Sequence, residues 1–348
     1  MRYALGVDGG NSKTHALVVD ESGQSLGFGH SGGGNHQTRG FKAARREIER
    51  ATGTAIRKAS LSKQPLDMGC FCLAGADLPE DYAMLQEAME DLGLTKTTLI
   101  KNDTIAALRA GLTRSWGVVI ICGSGFNAAG RAPDGREIVL PGLGPESGDW
   151  GGGGMLSQEM IRMVMRAWDG RGKPTLLTQF VLQALQAPSE EVLLSRLYHE
   201  EIRRSRLLEL VPLLFEAAEA GDEVARELVI QMGSEVGITA LAIIRRLGLE
   251  LEDVEVILGG SVFKGKGSLL LDTINRVVHA RAPRARVIKP RFEPVVGAAL
   301  LALEAMGVNA DEQLYKILAS TLPERLVITS TGLAPLPGDP NYRMENRA

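Results

Sequence analysis

The sequence predicts an α/β protein built as two related lobes, each a mixed sheet that begins with a three-stranded meander and is flanked by helices. Two observations carry this. From Arg2 to Gly29 an apolar run, a glycine turn, a second apolar run ending at Val19, the turn "DESGQ" and a third run "SLGFG" follow in order, which is the punctuation of a meander. From Trp116 to Gly142 the same order returns in "WGVVIICGSGFNAAGRAPDGREIVLPG", so that Asp8-Gly9-Gly10 lies opposite Cys122-Gly123-Ser124 and Ser22-Gly23 opposite Asp134-Gly135. A repeat at a separation of about a hundred residues marks two copies of one domain rather than a solenoid.

The segments between and after the meanders complete the lobes. A helical stretch over roughly 40–60 precedes the buried-strand candidate "DMGCFCLAGAD", the helix "DYAMLQEAMEDLG", the strand "TTLIKND" and the helix "TIAALRAGL". Strands alternating with helices imply a sheet with parallel members and covered faces. After the second meander come a glycine-rich loop, "PGLGPESGDWGGGG", a helix-rich stretch from Met155 to about Leu247, the strand "VEVILGG", and a strand, loop and helix in "RVIKPRFEPVVGAALLALEAMG". The boundaries read from this are a first lobe over 1–115, a second over 116–306 with a helical insertion near 155–247, and a peripheral tail over 307–348.

The chain of 348 residues exceeds the usual size of one hydrophobic core, so a ligand cleft between two domains is expected. A formal net charge of -3 from 39 basic and 42 acidic residues provides no field for gathering nucleic acid and no polybasic stretch for a membrane surface. The expected partner is a small molecule. Three cysteines, Cys70, Cys72 and Cys122, without a CxxC pair or a cysteine–histidine cluster, argue against a disulfide framework or a zinc site. With no signal-peptide core after "MRYALGVDGG" and no run of about 18 uncharged apolar residues, a cytoplasmic protein is expected.

The loop "GVDGGNSKT" sits between the first two strands. Its glycines permit positive φ and remove side chains, so backbone N–H groups can face phosphate oxygens while Lys13 adds positive charge. It is not the GxxxxGK[ST] loop, because the spacing differs and a strand follows. An ordinary hairpin with a solvated lysine remains open on local grounds. The second loop, "CGSGFNAAG", is equivalent in the repeat, and a pair of such loops can clamp a polyphosphate. Asp8 would then bind Mg²⁺, which prefers few carboxylates plus phosphate oxygens.

Asp103 follows a strand and precedes a helix, so it is read either as an N-cap or as a general base that accepts a hydroxyl proton. Asp149, among glycines, is read either as a turn former or as an acceptor for sugar hydroxyls, a task for which Asn35 also has suitable groups. Gly259 and Gly260 either allow close packing or let a nucleoside lie against backbone. His36 has no second histidine at metal spacing, and Cys70 and Cys72 alternate along one strand face as core residues.

Together these motifs resemble the actin, Hsp70 and hexokinase-like superfamily, with its ribonuclease H-like lobes, and within it the BadF/BadG/BcrA/BcrD-type ATPase family that includes N-acetylglucosamine kinases. The resemblance runs through most of residues 3–306. It implies the two-lobed actin-like ATPase fold, ATP and Mg²⁺ as cofactors, and transfer of the γ-phosphate to a hydroxyl of an amino sugar, N-acetylglucosamine or glucosamine.

Carried over residue by residue, "GVDGGNSKT" resembles the first phosphate loop, with Gly9, Gly10, Asn11, Ser12, Lys13 and Thr14 on the nucleotide and Asp8 on the metal. "CGSGFNAAG" is similar to the second, with Gly123, Ser124, Gly125 and Asn127, and "ILGGSV" to the adenosine motif, with Gly259, Gly260 and Ser261. "NDTIAA" places the catalytic base on Asp103. "GGNH", "LAGAD" and "GLGPESGD" place sugar contacts on Asn35, His36, Gly75, Asp77 and Asp149.

The chain departs from the family pattern at Asn11, where glycine is usual, and at Trp150 and the glycines after it. The family also implies a homodimer. It contains activator ATPases that hold an iron–sulfur cluster and lack a sugar acceptor, but the cluster cysteines are not matched here, nor is the zinc motif of the related ROK kinases.

Overall fold

A computed structural model describes residues 1–61 and 64–328. Along the chain run β1 (Tyr3–Gly9), β2 (Lys13–Asp20), β3 (Ser25–Gly32), α1 (His36–Arg39), α2 (Phe41–Lys58), β4 (Leu66–Leu73), α3 (Pro79–Glu90), β5 (Thr95–Asn102) and α4 (Asp103–Gly111). Next come β6 (Gly117–Cys122), β7 (Phe126–Arg131), β8 (Glu137–Val139), α5 (Gly153–Trp168), α6 (Leu177–Ala184), α7 (Glu190–Tyr198), α8 (Arg204–Leu208), α9 (Val211–Glu219) and α10 (Glu223–Leu247). The chain continues with β9 (Glu255–Gly259), α11 (Leu269–His279), β10 (Arg286–Ile288), α12 (Pro294–Ala305) and α13 (Glu312–Thr321).

Two units form among the described residues: Met1–Gly117 with the chain from Ile288 to Ile328, and Val118–Val287. The first unit's sheet has the order β3-β2-β1-β4-β5, and the second unit's, read from its far edge, is β8-β7-β6-β9-β10. The first strand of each meander is central in both, with its two hairpin partners on one side and two later strands on the other. This is the predicted duplication. Both sheets are mixed: β1 runs antiparallel to β2 and parallel to β4, while β6 runs parallel to β9 and β7 antiparallel to β8.

In the first unit, Val7, Ala16, Val18, Phe71 and Leu73 form one core with Ile48, Ala51 and Ala55 of α2. Helix α2 sits close because Gly27 and Gly29 on β3 face the backbone of Ala55 and Ala51. The opposite face of the sheet takes α12, whose residues Val295–Leu303 are all buried. Gly6 meets the backbone of Ala299, and Gly297 meets the carbonyl of Ala106 on α4, so both crossings need glycine.

Helix α12 therefore belongs to the first unit, although it follows the whole second unit in sequence. The boundary read from the sequence, which kept residues to 306 in the second lobe, moves to 287/288. The expected tail also changes. Helix α13 is part of the first unit: Leu314 packs on Gly23, and the Tyr315 hydroxyl accepts a 2.6 Å hydrogen bond from Arg109 of α4. Arg109, buried, also donates at 2.7 Å to Glu304 of α12. Residues 329–348 of that expected tail lie outside the described residues.

The second unit carries the helix-rich stretch anticipated from the sequence. Among the described residues α10 is long and apolar enough to cross a membrane, yet it packs against α11, where Gly233 faces Thr273 and Gly237 faces Val277. A buried stripe at helical spacing from Val224 to Leu247 accounts for its hydropathy.

Candidate active site

Parallel strands β1, β4 and β5 bring their C-terminal ends to one edge of the first sheet, in the register Asp8↔Cys72 and Leu73↔Asn102. In open α/β sheets this edge is where ligands bind. It collects Asp8, the loop from Gly9 to Thr14, the turn around Gly75 and Asp77, and Asp103.

Asp8 is buried, and its carboxyl is pushed up to about 7 by burial first and then by the negative charge of Asp103, against the opposing pull of Lys13. His15, directly across from Asp8 on β2, offers no compensating charge, because burial and Lys13 push it down to about 4. Lys13 is itself paired, donating at 2.8 Å to Glu293, the residue before α12.

Asp103 opens α4 but does not cap it. Asn102 is the cap: its Oδ1 accepts the Thr104 N–H at 2.9 Å, while its Nδ2 donates to the Ala76 carbonyl at 3.2 Å and to Asp77 Oδ1 at 3.0 Å. The capping alternative for Asp103 is thus taken by its neighbour. The Asp103 carboxyl is raised to about 6, by burial first and then by the charge of Asp77. Asp77 is also raised, chiefly by burial, and Gln37 donates to it at 3.3 Å.

The segment Gly32–His36 lies against the first loop. Asn35 is buried, caps the short α1 by accepting the Gln37 N–H at 2.8 Å, and donates to Asn11 Oδ1 at 2.7 Å. Gly75 has φ of +89°, and a Cβ there would lie 2.8 Å from Asn35 Oδ1 and 2.9 Å from His36 Cε1. The turn must therefore be glycine to seat both side chains. His36 has Nε2 3.5 Å from Asp81, and its buried Nδ1 has no hydrogen-bond partner among the described residues.

The hairpin glycines differ from expectation in one respect. Gly9, Gly10, Gly123 and Gly125 are not among the positive-φ residues. Their value is room: a Cβ on Gly9 would lie 2.6 Å from Leu73, whereas Gly123 and Gly125 face open space.

In the second unit, the loop Gly123–Gly125 rests on the start of α5. Gly153 N–H donates to the Gly123 carbonyl at 2.8 Å and Gly154 N–H to the Ser124 carbonyl at 2.9 Å. A Cβ on Gly152 would lie 2.6 Å from the Gly125 backbone, so packing requires glycine there, while Gly151 has a φ of +114° that favours glycine by conformation. Asn127 lies under Gly142, which has φ of +66°. Gly260 follows β9 with φ of +105° and sits on the Cys122 backbone.

Beside these loops a cavity of about 250 Å³ is lined by Gly123, Ser124, Ser261 and Lys264 on one part and by Leu208, Val211 and Phe215 on another. Polar loop atoms next to an apolar wall suit a ligand with a flat ring and a charged tail. Asp149 is committed locally, its Oδ2 accepting from Gly144 N–H at 2.9 Å and from Ser147 Oγ at 2.7 Å.

Sequence reasoning missed Asn102, Gln37, Glu293 and the apolar cavity wall. Asn102 had a signal, since asparagine before a helix is a favoured cap. Glu293 had none, because its partner lies far away in sequence. All three cysteines are fully buried, with Cys70 and Cys72 Sγ atoms 3.6 Å apart inside β4.

The sequence model of the BadF/BadG/BcrA/BcrD ATPase family matches residues 5–302. An N-acetyl-D-glucosamine kinase of Dictyostelium discoideum is 31% identical over 312 residues, which span 86% of this chain and 98% of that protein. An N-acetylmuramic acid/N-acetylglucosamine kinase of Clostridium acetobutylicum is 24% identical over 87% of this chain and 98% of its own. Among solved structures, a Chromobacterium violaceum protein provisionally named N-acetylglucosamine kinase superposes with a TM-score of 0.64 at 22% identity, over 87% of this chain and 99% of that one. This last likeness concerns the fold.

Proposed function

The chain belongs to the BadF/BadG/BcrA/BcrD ATPase family, and from that premise we infer that it is an ATP-dependent kinase acting on an amino sugar. The observation that carries the reading is Asp103, released from helix capping by Asn102 and raised toward neutrality at the C-terminal edge of the first sheet. A base with this pKa is ionised at neutral pH and still able to take a proton.

On this reading the sugar hydroxyl oxygen attacks the γ-phosphorus, the bond to the β-phosphate oxygen breaks, ADP leaves, and the hydroxyl proton passes to Asp103. Gly9–Thr14 and Gly123–Gly125 hold phosphate oxygens through backbone N–H groups, with Lys13 contributing charge and Asn127 supporting the second loop. Gly259, Gly260 and Ser261 hold the nucleoside, with Val211 and Phe215 as the apolar wall. Asn35, His36, Gly75 and Asp77 form the acceptor site of the first unit, and Asp149 binds sugar hydroxyls only by giving up its loop hydrogen bonds.

Mg²⁺ fits the residues present. Asp8 is a buried carboxylate repelled by Asp103, and a divalent cation would relieve that repulsion. When bound with the nucleotide, the ion offsets phosphate charge. Among the described residues no group of three acidic, histidine or cysteine side chains gathers as a metal cage, so the residue that would hold the ion is Asp8 alone.

The dehydratase-activator alternative is weakened by the cysteines, whose sulfurs are enclosed in the core. A cytoplasmic location and a homodimer, the latter testable by light scattering, complete the reading. The deciding experiment measures ADP release over a panel of N-acetylglucosamine, glucosamine, N-acetylmuramic acid and glucose. N-acetylglucosamine is expected to raise turnover most. If no sugar exceeds the basal rate, the kinase reading is lost.

A further inference from the structure

Three hydrogen bonds lace the first loop to the segment that carries Asn35. Thr14 Oγ1 donates to the Gly32 carbonyl at 2.8 Å, Gly34 N–H to the Gly10 carbonyl at 2.9 Å, and Asn35 Nδ2 to Asn11 Oδ1 at 2.7 Å. The backbones approach so closely that a Cβ on Gly33 would collide with the Asn11 carbonyl. Only the third of these bonds joins two side chains, and it joins a residue of the phosphate loop to a residue of the acceptor site.

The orientation of the Asn35 amide follows from its partners. The Gln37 N–H is an obligate donor, so the atom facing it must be Oδ1, and Nδ2 must then face Asn11. Asn11 answers with its own oxygen. With those two bonds made, Asn35 retains one N–H and one lone pair, a donor and an acceptor set at fixed angles, which is the pattern a sugar hydroxyl requires. Without Asn11 the Nδ2 side of the amide loses its side-chain partner, and the rotation of a buried side chain is held by one bond instead of two.

We propose that Asn11 is a positioning residue for the acceptor: its side chain fixes the Asn35 amide, while its backbone serves the phosphate loop. The proposal rests on the acceptor-site reading of Asn35. It assigns Asn11 a task on the sugar side of the reaction, in addition to its place in the nucleotide loop.

The test compares wild type, Asn11→Ala and Asn11→Asp by calorimetric titration of nucleotide-free protein with N-acetylglucosamine and by initial rates. Asn11→Asp keeps an acceptor oxygen for Asn35. Asn11 is exposed, so neither variant threatens the fold. Asn11→Ala is expected to weaken sugar binding and raise the sugar KM by about tenfold, the ordinary worth of one neutral hydrogen bond, with the ATP KM within about twofold. Asn11→Asp is expected to restore sugar affinity to within about threefold of wild type while raising the ATP KM, because its charge repels phosphate.

Unchanged sugar affinity in Asn11→Ala overturns the proposal. So does a parallel rise of both KM values without rescue by Asn11→Asp, which would mark a purely structural loop residue. Wild-type protein that binds no amino sugar overturns the acceptor reading itself, and this inference with it.

Discussion

The two hairpin loops occupy equivalent places in two sheets of the same strand order, yet their surroundings are opposite in kind. The loop after β1 is crowded with side chains that carry charge or fixed hydrogen bonds: Asp8 precedes it, Lys13 reaches Glu293, and Asn11 reaches Asn35. The loop after β6 is nearly bare. Gly123 and Gly125 face open space, and the loop is held from behind by backbone bonds to the start of α5. The same backbone plan thus carries titratable side chains in one unit and a loop of bare glycines in the other.

This contrast can be broken most severely at Asp103. Replacing it by Asn should lower kcat by at least about a hundredfold, the usual range for a lost general base, with nucleotide affinity retained in a fluorescence titration. Activity near wild type would remove Asp103 as the base.

Asp8 comes next, through stability. Its folded pKa, about 7, lies above its ordinary value, so between these two pH values the native state holds a proton that the unfolded chain has lost. Stability therefore falls as pH rises through this window and levels off above it. Asp8→Asn, assayed in chelator without nucleotide, should be more stable than wild type at pH 8 by a few kcal/mol, with the gap closing toward pH 4. Parallel melting temperatures at both pH values would contradict the burial argument.

The bare loop is tested at its support. Gly152→Ala drives a methyl group into the Gly125 backbone, 2.6 Å away, and should cost about 1–3 kcal/mol while raising the ATP KM. Gly125→Ala is the smallest change, since its Cβ meets nothing within 4 Å. Its melting curve should match wild type to within about 0.5 kcal/mol, and any loss should be confined to nucleotide affinity. A Gly125→Ala variant unchanged in both respects would show that phosphate does not approach this loop closely.

Much of the architecture was legible from local pattern, because apolar runs and glycine turns report strand positions residue by residue. The cap of α4 shows where such reading stops. Asn102 and Asp103 are adjacent and both are good capping residues, and only the folded chain shows that Asn102 caps, its amide also held by Ala76 and Asp77. Lys13 makes the same point. A lysine in a turn looks solvated until Glu293 arrives beside it from the other end of the first unit.

By itself, the sequence determined the two meanders, their glycine loops and the order of the candidate aspartates, since each depends on neighbours in the chain. Tertiary structure alone decided that α12 and α13 return to the first unit, that Gly6 and Gly297 must be bare for α12 to pack there, and that Asn11 faces Asn35. Those outcomes depend on contacts between residues distant in sequence, and no local periodicity encodes which distant side chain fills a given space.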